Sequence, residues 1–219
     1  MNHHSPGMSL RVLRSILYVT VGAALLGVLL AITLGPTATA QLLSRTPLFQ
    51  LVAVRVFLTA GALYAFTGDP HLSLFAGILF NNLTSALLFL SIPLVARGTH
   101  LLHLRSRGVL TDRGANLLTT SVRNRLWAVR ASSIAVPAVV AFGMGVSALV
   151  SGPKLFMAVE MSAVVMAALV VLNSPKIDSP NFTSSYLHLL TRSLPVVVIL
   201  LALAAAIEVS ELLGPASVE

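Results

Sequence analysis

The sequence has no cysteine. Disulfides, thiolate nucleophiles and Cys-ligated metals are therefore excluded. Charge is scarce: Asp, Glu, Lys and Arg make up 10% of the 219 residues, against about 25% in soluble domains. Aromatic residues contribute 6%, with a single tryptophan, Trp127. There is no His-Glu-x-x-His, no Gly-x-Ser-x-Gly and no P-loop, so no catalytic motif is visible. Neither is there an internal repeat, a low-complexity tract or a separate soluble domain. No enzyme activity and no cofactor are expected.

What remains is apolar. Hydrophobic residues make up 56% of the chain, with a mean hydropathy of +0.91. A water-soluble fold has nowhere to put that much apolar surface. The expected fold is all-α: a polytopic membrane helix bundle of about five spanning helices, with a short buried or re-entrant helix and an interfacial amphipathic helix.

The chain divides accordingly. Residues 1–10 read as a disordered N-terminus and 11–214 as one membrane domain. Ser15–Leu34 is an uncharged run of 20 residues, enough to cross about 30 Å of hydrocarbon. Ala38-Thr39-Ala40 after it resembles a signal-peptidase site, but the run is too long for a secretory core, so a retained helix is expected. The other expected spans are 71–96, 131–150, 155–172 and 193–213. Residues 48–66 are apolar but carry Arg55 near their centre, and Thr67-Gly68-Asp69-Pro70 follows as a turn.

Charge sets the expected orientation. Lys and Arg total 14 against 7 Asp and Glu, a net +7. The charges flank apolar runs, so anionic lipid headgroups, not nucleic acid, are the expected counterpart. Seven of the arginines lie in Arg97–Arg130. Leu110, Leu118, Val122 and Leu126 recur within it at helical intervals, which suggests a helix in the membrane interface; a solvated loop is the alternative. Basic short loops stay cytoplasmic. With Arg11, Arg14 and the Arg97–Arg130 segment inside, an even number of crossings must separate them. Residues 48–66 are then expected not to cross. The protein is expected in the cell membrane, N-terminus cytoplasmic and C-terminus external.

Five polar residues within the apolar segments stand out: Arg55, Asn81, Asn82, Glu160 and Glu208. A charge at mid-membrane costs roughly 2.5–3.5 kcal/mol on insertion scales. Such a group needs a partner, a proton or a water-filled cavity, and Arg55 is a candidate partner for Glu160. These residues either form a polar path or groove, or tie helices together. Ala23, Gly27 and Ala31, and later Ala163 and Ala167, form small-residue stripes that permit close helix approach. His100 and His103 lack a third ligand, so no metal is expected.

Three local patterns resemble the stage II sporulation protein M family. They are Phe75-Ala-Gly-Ile-Leu-Phe-Asn81-Asn82-Leu-Thr-Ser-Ala86, then Met157-Ala-Val-Glu160-Met-Ser-Ala163-Val-Val-Met-Ala167, then Leu201-Ala-Leu-Ala-Ala-Ala-Ile-Glu208-Val. They occur in the family's order. Met157-Ala158 stands where the family often has His-Gly. The resemblance implies a non-enzymatic membrane component working with other membrane proteins, in a scaffold or complex subunit role. The residues themselves also leave open a transporter or permease subunit with a polar midplane path.

Overall fold

A computed structural model describes residues 6–106, 112–151 and 154–213. Proline sets where four of its helices begin. Pro6, Pro36, Pro47 and Pro70 open α1 (Pro6–Leu34), α2 (Pro36–Ser44), α3 (Pro47–Thr67) and α4 (Pro70–Ser106). A proline in the first turn sacrifices no bond, because the N–H there has no intrahelical partner. Asp69 completes the start of α4, its Oδ1 accepting from the His71 and Leu72 backbone N–H groups at 2.8 and 3.2 Å. Gly68, with φ of 65°, closes α3 by donating its N–H to the Tyr64 carbonyl at 2.9 Å. The remaining helices are α5 (Asp112–Ser151), α6 (Leu155–Leu172) and α7 (Phe182–Leu213).

The chain is thus an all-α polytopic bundle, with no strand among the described residues. Six helices are long and apolar enough to cross a membrane, including Gln50–Thr67. Leu25, Leu26, Leu29 and Ile32 on α1 are each more than half exposed, as are Phe57 and Leu58 on α3. Lipid, not water, suits such surfaces.

Several helices outrun their apolar segments. Pro6–Leu10 already belong to α1, while residues 1–5 lie outside the described residues. The basic segment 97–130 is helical on both sides of 107–111, as extensions of α4 and α5. Extending a helix adds a hydrogen bond per residue, whereas nucleating a new one fixes several residues for the first bond. The Gly152-Pro153 connection and residues 214–219, Glu219 among them, also fall outside the described residues.

Contacts at the two ends fix the helix directions. α4 and α7 run antiparallel. Ile78 packs with Ala205 and Val209 at one end, and at the other the Tyr186 hydroxyl donates to the Leu90 carbonyl at 2.6 Å. Arg97 donates to the Ile177 carbonyl and lies over the Phe182 ring. α6 and α7 are also antiparallel, with Lys154 paired to Glu211 at 3.5 Å and Ala163 packed with Val197 and Leu201. From Ile78 to Arg97, α4 rises about 29 Å at about 1.5 Å per residue, close to the thickness of a hydrocarbon core.

α1 runs parallel to α5. Ile16 shares a core cluster with Val129 and Ile134, while further along Gly27 meets Phe142 and Gly145 meets Ala24. A Cβ on either glycine would overlap the other helix's backbone carbonyl, so the two helices cross backbone to backbone. α3 lies antiparallel to α4, with Gly77 against Val56 and Ala60 and Thr67 bonded to Ser73. Hence α1 and α3 point the same way, with only residues 35–46 to bring the chain back. The nine residues of α2 cover about 13 Å, under half the apolar thickness. Continuing the α3–α4 register puts Pro47 opposite about residue 87 of α4, well short of Arg97. α3 therefore begins opposite the middle of α4 and not at its Arg97 end.

Candidate functional site

Polar groups in a bundle must find partners or a cavity, and here four of them, Asn81 buried and the others half-buried, line the same cavity. It is a half-open space of about 340 Å³ between α3, α4, α6 and α7. Asn81 and Asn82 line it from α4, Glu160 from the second turn of α6, and Glu208 from near the end of α7. The remaining wall is apolar: Val52, Ala53, Val56 and Phe57 of α3, with Leu74, Ile78 and Leu212.

The amides are partly committed to each other. Asn81 Nδ2 donates to Asn82 Oδ1 at 3.2 Å. Asn81 is only 6% exposed, and its Oδ1 has no hydrogen-bond partner. The neighbouring hydroxyls offer nothing to the cavity. Thr84 donates to the Phe80 carbonyl at 2.7 Å and Ser85 to the Asn81 carbonyl at 2.9 Å, the usual back-bonding of such residues within a helix.

Neither Glu160 nor Glu208 makes an ion pair among the described residues. The nearby cation, Lys154, is taken by Glu211. Glu208 and Glu211, three apart on α7, thus do different things: one faces the cavity and the other closes the α6–α7 end. Arg55 is half-buried on α3 and does not line the cavity. The lining positions 52, 53, 56 and 57 define one face of α3, and position 55 lies about 130° round the helix from its centre. Arg55 is therefore no partner for Glu160 here.

Sequence reasoning reached the four polar residues because each interrupts an apolar run. It missed the α3 wall, since Val52, Val56 and Phe57 are ordinary apolar residues on a helix without amphipathic contrast. Only Gly77, which lets α3 approach α4, is a local sign of that packing. No group of three or more His, Asp or Glu able to hold a metal occurs among the described residues. The His103 side chain is outside the described residues; His100 is buried near the Arg97 end of α4.

At that opposite end lies a second polar region. Arg97 and Arg125 are half-buried, and Arg97 Nε and Arg125 Nη1 lack hydrogen-bond partners. Both belong to the basic segment. The chain matches no family model, no curated protein and no solved structure.

Proposed function

We propose that this integral membrane protein is a non-enzymatic subunit of a membrane complex, working through the Asn81–Asn82–Glu160–Glu208 cavity. The observation that carries the reading is convergence. The three segments that resemble the stage II sporulation protein M family are far apart in sequence, and each contributes its polar residue to this one cavity. Packing alone does not require that: single amides and carboxyls that merely tie helices together would be spread through the bundle, each with its own partner. The basic face with Arg97 and Arg125 then sits against anionic headgroups on the cytoplasmic side. The Glu211 face is external.

A second reading, a transporter or permease subunit, is favoured by one specific feature. The cavity stands beside a helix pair, α2 and α3, that enters only part-way, and broken elements of this kind line substrate paths in transporters.

One preparation tests both. The protein is extracted in mild detergent as wild type, Asn82→Leu and Glu160→Gln, with helicity followed by circular dichroism. The complex reading expects a partner at fixed stoichiometry with wild type, weakened at least about tenfold in the variants, or about 1.4 kcal/mol. A wild-type chain that purifies alone, or variants that keep the partner fully, would contradict it. The transport reading stands instead if reconstituted wild type carries solute flux that Glu160→Gln abolishes.

A further inference from the structure

We infer that the cavity takes a small organic ammonium, its charged head between Glu160, Glu208 and the Asn81 carbonyl oxygen and its carbon part against α3. The inference rests on the cavity being the working site. It names what the site holds.

The polar end of the cavity is built to accept hydrogen bonds. Carboxylates accept only, and Asn81 Oδ1 is a buried acceptor without a partner. Asn81 Nδ2 is already engaged with Asn82 Oδ1, which leaves Asn82 Nδ2 as the one amide donor on this wall with no hydrogen bond among the described residues. Two carboxylates on one space, with an unpartnered amide oxygen buried in the same wall, call for a group with several N–H donors, and an ammonium carries three. Charge points the same way. The cavity wall contains two acidic residues and no basic one, and the nearby Lys154 is neutralised by Glu211. Two carboxyl groups on one half-buried space are costly to ionise until a cation enters it.

Size and wall chemistry exclude a bare ion as the natural occupant. A water claims about 30 Å³ of liquid volume, so a space of about 340 Å³ would leave a metal ion mostly surrounded by water. The volume falls instead at the lower end of small-molecule sites. Val56, Phe57, Ile78 and Leu212 give the rest of the wall, suited to a short hydrocarbon, and the face of Phe57 adds a surface to which cations are attracted.

The test uses the full chain in an amine-free detergent buffer. Calorimetric titration compares n-butylammonium with n-butanol, its neutral counterpart, and with sodium ion. Saturable binding of butylammonium at least tenfold tighter than either is expected, with at least a tenfold loss in Glu160→Gln and Glu208→Gln. Equal binding of butanol, equal binding of sodium, or no saturable binding at all would each overturn the inference. The wild-type comparison decides even where a variant does not fold. Phosphatidylethanolamine added to the micelle distinguishes two sources of the same chemistry. Competition with butylammonium assigns the ammonium to a lipid headgroup, and its absence assigns it to a free amine. Loss of butylammonium binding with an intact partner complex would sink this inference alone, whereas binding by a chain that purifies without a partner would sink only the complex reading.

Discussion

Tyr186 shows how one side chain ties two helices together beside a proline. Pro93 lies inside α4 and removes the donor that the Phe89 carbonyl would use. On the next carbonyl, Leu90, the fully buried Tyr186 hydroxyl donates at 2.6 Å. Tyr186 also stacks on Phe182 with centroids 5.8 Å apart, and Phe182 lies beneath Arg97. Tyr186→Phe keeps the ring and removes the bond, so it should lower stability by about 1 kcal/mol. Tyr186→Ala also empties the space and should cost about 3–5 kcal/mol. Denaturation in mixed micelles measures both; no loss in Tyr186→Phe would mean that the hydroxyl contributes nothing, and equal losses that the ring does not. At this scale the sequence was partly legible. Asn81, Asn82, Glu160 and Glu208 announce themselves as polar groups among apolar neighbours. The exclusion of Arg55 was not legible, because it depends on which face α3 turns to α4, and nothing polar marks that face.

Whole elements were easier to read where lipid dictates them. The bilayer tolerates no unpaired backbone, so long apolar runs must be helices, and α6 spans the run 155–172. Where a helix leaves the apolar layer hydropathy is silent, which is why α4 reaches Ser106 and α7 begins at Phe182. The Ala23-Gly27-Ala31 stripe was visible in α1, and Gly27 and the buried Ala31 do face inward. Its partner Gly145 on α5 was not, since a single glycine in an apolar helix carries no label. Gly145→Val should cost about 3 kcal/mol or prevent folding, because overpacking of a backbone crossing has no flexible side chain to yield. The control Gly61→Val, where a Cβ meets nothing within 4 Å, should change stability by no more than about 0.5 kcal/mol. Matching losses at the two sites would refute the close crossing. The proposal that α2 and α3 do not cross has its own test. Single cysteines at Thr37 and Thr67, in a chain that otherwise has none, should both label from outside sealed cells. If either labels only from the cytoplasm, the re-entrant path is wrong.

For the molecule as a whole, the two ends have different chemistry, and the cavity lies toward one of them. One end carries Arg97 and Arg125 with unused donors; the other closes on the Lys154–Glu211 pair. Beside that pair, three sequence segments separated by tens of residues bring their carboxyl and amide groups together around about 340 Å³. That meeting is what composition and spacing could not supply, because it depends on α4, α6 and α7 packing in one particular rotation. Its most direct test is made in native membranes with paired cysteines and a short bis-thiol cross-linker. Asn82→Cys with Glu208→Cys should join within one chain, and Asn82→Cys with Leu190→Cys, at the opposite end of α7, should not. A cross-link in the second pair, or none in the first, would contradict the convergence.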